Sequence, residues 1–226
     1  MGGGGADNNR ILRIVLTGGP CAGKTTCLGL VKQHLADKGF AVCTVPETST
    51  FLLSNGASYP SLDEDKRHIY QQFEDYFLSL HLKIEETFAN IVSLENGPKA
   101  LIYDRAIMDI KAYVPEDVWK KMLLTAGFAS EEEVFAKYDY VIHLVTVANG
   151  ATTHYGIGTN DIRMENPEQA RELDNLTFKN WSAHHNVVRI ANSESVQDGF
   201  EIKKKDTFAA LDNFLSTQGI VGKQSS

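Results

Sequence analysis

The sequence predicts an α/β fold in three layers, with a mainly parallel five-stranded sheet held between helices. Three observations predict it. Five short apolar runs, RILRIVL (10–16), AVCTVP (41–46), KALIYD (99–104), YVIHLVTV (140–147) and VVRIAN (187–192), are separated by segments of helical periodicity. Strands that alternate with helices pair in parallel and are covered on both faces, which suits continuous apolar runs. A glycine-rich turn, LTGGPCAGKTT, follows the first run directly. Finally, 226 residues with 42% hydrophobic and 23% charged side chains suit one globular domain, expected over about 10–218 with loose, disordered tails at 1–9 and 219–226.

The elements follow in order from local pattern. After the first strand, Leu28, Val31 and Leu35 recur at helical spacing and Gly39 caps the end. Between the second and third strands, Ile69, Phe73, Phe77, Leu80, Ile84, Phe88 and Ile91 mark one long amphipathic helix over roughly 64–95, closed by Asn96-Gly97-Pro98. A helix or helix pair falls within 115–136 and a C-terminal helix over about 200–216. The segment at about 149–185 opens with small and polar residues, NGATTHYGIGTND, and reaches a helix start at Asn166-Pro167-Glu168, with Asn as N-cap and Pro at the first position. Ala170, Leu173 and Trp181 share one face of that helix, and a loop leading into a helix suits a helical lid.

Bulk chemistry narrows the function. A net charge of −7 argues against a nucleic-acid partner, whose backbone demands massed Lys and Arg. The one basic run, Lys203 to Lys205, is too short to support lipid contact, and no run approaches the roughly 18 apolar residues of a membrane span. Three cysteines without metal spacing fit a reducing cytoplasm, and the Asn175-Leu176-Thr177 sequon is discounted as accidental.

The specific chemistry lies in Gly18-x-x-x-x-Gly23-Lys24-Thr25, which has the required strand before it and helix after it. Its glycines let backbone N–H groups of Gly18, Gly19, Pro20–Gly23 and their successors curl around a phosphate chain, apart from proline, which has no N–H. Within that nucleotide-binding stretch, Cys21 and Ala22 are small side chains the turn tolerates, Lys24 supplies a full charge, Thr25 offers its hydroxyl to Mg²⁺, and Thr26 lies toward the α-phosphate. Asp104, at the end of the third run, is the candidate carboxylate for the hydrated magnesium, and Arg105 follows it. Glu47, in VPETST, stands at the same carboxyl edge of the sheet. It either accepts a proton from an acceptor hydroxyl or orients a metal-bound water, or it simply starts a short helix. Arg163 and Arg171, in the candidate lid, are placed to close over a transferring phosphoryl group. The guanine-specificity pattern is missing where it belongs: Ala136-Lys137-Tyr138-Asp139 precedes a strand instead of following one, which disfavours a signalling GTPase.

The strings GGPCAGKTT, VPET, DRAIMDIKAY, NDIRMENPEQARELDNLTFKNWSAHH and RIANS together resemble the P-loop domain family shared by the ribosylnicotinamide kinase part of the bacterial regulator NadR and the TRP channel translocation defect proteins of animals. The likeness runs from Arg10 to about Leu215, and the DR and lid strings lie closer to the translocation-defect branch. The resemblance implies a P-loop NTPase fold like that of nucleoside and nucleotide kinases, which binds ATP or GTP with Mg²⁺. It implies nucleotide and phosphoryl roles for Lys24, Thr25, Asp104 and Arg163, and an acceptor-pocket role for Asp109. Ala106 departs from the glycine the family often has there. The animal proteins are described as GTP- and lipid-binding trafficking factors with a second domain, and no such domain is expected within these 226 residues.

Two functions share this nucleotide site. One is a small-molecule kinase-like phosphotransferase or NTPase, with an acceptor between Glu47 and Arg105 and a lid that excludes water. The other is a regulator in which bound ATP or GTP orders the lid for a protein partner.

Overall fold

The computed structural model describes residues 10–149, 166–193 and 198–220. Its five strands are β1 (Ile11–Gly18), β2 (Ala41–Val45), β3 (Lys99–Asp104), β4 (Tyr140–Leu144) and β5 (Val187–Ile190). They form one all-parallel sheet in the order β2-β3-β1-β4-β5. Such pairing brings all five carboxyl ends to one edge, with Leu16 opposite Asp104 and Gly18 opposite Leu144. The helices are α1 (Lys24–Asp37), α2 (Thr48–Ser54), α3 (Arg67–Val92), α4 (Ile107–Ile110), α5 (Glu116–Thr125), α6 (Glu131–Phe135), α7 (Pro167–Trp181) and α8 (Gly199–Thr217).

Two cores result from the period-two alternation of each strand. Leu101 and Tyr103 of β3 face one core with Val15, Phe77, Met108, Trp119 and Trp181, under α3 to α7. Ala100 and Ile102 face the other with Ile14, Val31, Leu35, Leu211 and Phe214, under α1 and α8. The three expected layers are present.

Element boundaries moved where polar side chains intervene. The strand expected over 140–147 ends at Leu144: the Val145 amide still reaches the Ile190 carbonyl at 3.0 Å, and the Thr146 amide turns to the Asp174 carboxylate at 2.9 Å. The long helix starts at Arg67 after a 3₁₀ turn, Glu64–Lys66, and ends at Val92. Its buried face is rotated from the apolar stripe: Ile69 and Ile91 are 46% and 50% exposed, whereas Glu74, His81 and Glu85 are buried. Glu85 accepts from the Tyr138 hydroxyl at 2.5 Å and sits 3.1 Å from Lys137 and from His81, so its charge is matched inside the fold. The 115–136 region is a helix pair, α5 and α6.

Of the lid expected over 149–185, residues 150–165 lie outside the described residues, and Arg163 with them. The helical half is α7, capped by the Asn166 side chain at the amides of Glu168 and Gln169. It buries Ala170, Asp174, Thr177 and Trp181, and so packs on the sheet as part of the body. Among the described residues no helix is long and apolar enough to cross a membrane.

Candidate functional site

The site begins where β1 ends. Gly18 has φ 143, and a Cβ there would lie 2.1 Å from the Leu144 carbonyl oxygen, so the close approach of β1 to β4 requires glycine. At Gly19 a Cβ would meet the Asp174 Cβ at 2.8 Å. The turn then passes through Cys21 at φ 55 and Gly23 at φ 83, left-handed positions that splay successive amides into a concave anion nest. Gly23 is the N-cap of α1, which has neither a side-chain cap nor an acidic residue in its first turn. Its own first turn thus brings no carboxylate to those amides, which suits an anion site.

Lys24 opens α1, and its Nζ donates to the carbonyls of Gly18 (3.1 Å) and Gly19 (2.9 Å). Burial, and next Arg105, bring its pKa down to about 7, against Glu47, Asp104 and Asp109, which push it up. Thr25 and Thr26 are exposed at the helix start.

The opposite wall comes from β2 and β3. Asp104 ends β3, and burial together with Glu47 raises its carboxyl above the usual range, while Lys24 and Arg105 oppose. Arg105 turns out of the strand at φ 65, an uncommon conformation for a side chain of this size, costing on the order of 1 kcal/mol. Its amide donates to Leu16 O at 3.1 Å, and this fixes the turn. The guanidinium Nε lies 2.8 Å from Glu47 Oε1 outside hydrogen-bond geometry, which makes the pair a coulombic contact. Nη1 lies 3.4 Å from Asp109, and the Tyr113 ring is 5.9 Å from the guanidinium carbon. Glu47 precedes α2 and its Oε2 accepts from Thr50 Oγ1 at 2.7 Å. Burial raises its pKa, but Arg105, the Thr50 hydroxyl and Lys24 outweigh burial, so Glu47 is held ionised.

Asp109 stands behind this wall at 2% exposure. It accepts from Thr17 Oγ1, from the Ala106 amide at 3.0 Å and from Trp181 Nε1 at 3.1 Å, so it fixes the position of Arg105 from beneath. Arg171 donates to the Ala148 carbonyl at 3.1 Å, where the chain leaves β4. Thus Lys24, Glu47, Asp104, Arg105 and Asp109 form one electrostatic cluster, with Arg171 on the β4 side.

Several residues behind the loop were missed by sequence reasoning. Asp174 of α7 is fully buried and its Oδ1 accepts from the amides of Gly19 and Thr146, both at 2.9 Å, with His143 Nε2 at 3.2 Å. Its Oδ2 pairs with Arg189 at 2.9 Å. Burial raises its pKa, yet His143 and the two amides bring it down to about 2. The Thr146 hydroxyl donates to Pro20 O. Lys203 of α8, 4% exposed, donates to Ala22 O (3.1 Å), Val145 O (2.6 Å) and Asn192 Oδ1 (2.8 Å). The signal lay in helical spacing: Ala170, Asp174, Thr177 and Trp181 share one face, as do Lys203, Thr207, Leu211 and Phe214.

Thr25 and Asp104 offer only hydroxyl and carboxylate oxygen, the donors magnesium prefers. Among the described residues no group of three or more His, Cys, Asp or Glu could cage a metal. A few protein oxygens that leave room for water and phosphate fit Mg²⁺.

A strand, a glycine loop whose amides form an anion nest, and a helix led by lysine, set in an all-parallel sheet, define a P-loop nucleotide-binding fold. Residues 13–198 match the family described as AAA domain, and the chain belongs to that family. Comparison with curated proteins gives no match.

Proposed function

We propose that the protein transfers the γ-phosphoryl group of ATP or GTP to the hydroxyl of a small molecule seated between Glu47 and Arg105. One observation carries the reading: an ionised Glu47 and the guanidinium of Arg105, held in an uncommon backbone conformation, face the Lys24 and Asp104 side of the loop at the same sheet edge. A plain hydrolase needs only a positioned water there, whereas a paired carboxylate and guanidinium suit orienting an alcohol against a phosphate.

In this reading the loop amides and Lys24 bind the β- and γ-phosphates, and Thr25 with Asp104 hold Mg²⁺. The metal would supply charge neutralisation on the phosphate oxygens. Glu47, released from Arg105 by the incoming hydroxyl, accepts its proton. The hydroxyl oxygen bonds to the γ-phosphorus as the bond to the bridging oxygen breaks, and the nucleoside diphosphate leaves. Arg105 then stabilises charge on the equatorial oxygens, and Arg171 joins it from the β4 side; the sequence assigns the same charge-stabilising role to Arg163.

A second reading, a nucleotide-dependent regulator, is favoured by the engagement of both Glu47 oxygens, with Arg105 and with Thr50. Incubation with γ-labelled ATP or GTP and a panel of nucleosides, ribosides and phospholipid head groups separates the two. Label leaving in a new ester supports transfer, and tight binding with neither ester nor phosphate released overturns it.

A further inference from the structure

The amides that form the anion nest are oriented from behind by side chains outside the loop motif. In a trans peptide the carbonyl and the next N–H point in opposite directions, and no peptide bond among the described residues is cis. Whatever holds a loop carbonyl outward therefore turns the following amide inward. Lys203 Nζ does this at Ala22 O, 3.1 Å away, so the Gly23 N–H faces away from the lysine. Two peptides earlier the Thr146 hydroxyl does the same at Pro20 O, turning the Cys21 N–H. Both anchors converge on the exit of β4, since Lys203 also donates to Val145 O at 2.6 Å and the Thr146 amide is held by Asp174.

Lys203 is an unusual choice for a purely structural tie. A buried ammonium costs more to desolvate than a neutral donor, even when its three hydrogen bonds are made. A fixed positive charge behind an anion nest gives that cost a use. The third partner, Asn192 Oδ1 at 2.8 Å, extends the tie, because Asn192 Nδ2 donates to Thr146 O (2.7 Å) and Asn149 O (2.8 Å). One ammonium thus links the phosphate loop, the β4 exit and the segment after β5.

We propose that Lys203 is a positioning residue for the phosphate chain: it turns the Gly23 amide into the nest and adds a cation behind it. This rests on the triphosphate reading of the loop. Lys203 does not touch the ligand; it acts through the Ala22–Gly23 peptide. The titratable groups that face it are Asp174 of α7 and Cys27 of α1, and Thr207 lies beside Cys27. Burial keeps Cys27 a neutral thiol, while Asp174 stays ionised. Burial also lowers the Lys203 pKa to about 8, against the pull of Asp174 and Cys27. A bound polyanion favours the charged lysine and raises that value, so nucleotide affinity depends on its proton above pH 8.

The test titrates MgATP and MgGTP calorimetrically into the full chain as wild type, Lys203→Met and Lys203→Arg, at pH 7 and pH 9. At pH 7 Lys203→Met should bind at least 10-fold more weakly, with Lys203→Arg within about 3-fold of wild type. Between pH 7 and 9 Lys203→Arg should lose about 10-fold less affinity than wild type, because arginine does not titrate there. A packing role would leave that pH difference at zero. Folded Lys203→Met with wild-type affinity overturns the proposal, as does Lys203→Arg with the wild-type pH profile. If Lys203→Met fails to fold, the arginine profile alone decides. Wild type that binds neither nucleotide overturns the triphosphate reading itself, and this inference falls with it.

Discussion

Asp174 allows a quantitative prediction, because its environment is closed and its partners are few. Fully buried, it joins two backbone amides, His143 and Arg189. A carboxyl brought from 3.8 to about 2 on folding contributes about 2 kcal/mol to stability when ionised. The depressed value sets the sign: the contribution is present above pH 4 and is lost as pH falls toward 2. Asp174→Asn keeps an acceptor for the amides of Gly19 and Thr146 but sets an NH₂ group against the Arg189 guanidinium. It should therefore cost about 2 kcal/mol, or about 4–8 °C in Tm for a chain of 226 residues. Asp174→Ala leaves both buried amides without their acceptor and should cost about 3–5 kcal/mol. Urea unfolding at pH 7 and at pH 3 measures both. The Asn variant should shrink its deficit as the pH is lowered, since the unfolded wild-type carboxyl takes up a proton that the folded one resists, and the ionic contribution fades. A deficit below about 0.5 kcal/mol at pH 7, or one that does not change with pH, would refute the reasoning.

Three further outcomes are expected. Gly18→Ala should destabilise by about 3 kcal/mol or more, because its Cβ would lie 2.1 Å from Leu144 O and β1 cannot move from β4 without losing the ladder; a thermal melt within 2 °C of wild type would contradict it. Glu47→Gln should keep nucleotide affinity and slow turnover at least ~100-fold in a steady-state assay with an identified acceptor. Lys24, at about 7 in the free protein, gains its proton when phosphate binds, so affinity should be greatest below pH 7 and fall by up to tenfold per pH unit above it. Calorimetry of Lys203→Arg at pH 8 in buffers of different ionisation enthalpy, which leaves Lys24 as the titrating lysine, should show proton uptake, and no uptake would count against a Lys24–phosphate contact.

The legible part of this protein is the part whose chemistry is contiguous. Gly18 to Thr26 declares its turn and its anion site within nine residues, and Asp104 and Glu47 are visible because each closes a strand at the same edge. The long helix shows the opposite case. Its apolar stripe suggested one face, but Glu85, His81 and Tyr138 satisfy one another inside, and this internal matching rotates the helix toward polar residues. Asp174 and Lys203 escaped for a related reason: their roles exist only after α7 and α8 have been folded against the back of a loop more than 150 residues earlier. Leu173-Asp174 belonged to a string noted only for its likeness to a family, and Lys203 to a basic run judged by surface charge. A charged residue on the buried stripe of a helix is the pattern that reveals both.

The grip of main-chain amides, one lysine and a magnesium-held carboxylate on a triphosphate is tested most directly by titrating ATP and GTP into the purified chain with magnesium and again with excess chelator. Saturable binding of at least one nucleotide is expected with the metal, weakened at least tenfold by the chelator and abolished by Lys24→Ala. Equal heats for wild type and Lys24→Ala, or no binding of either nucleotide by wild type, would contradict it.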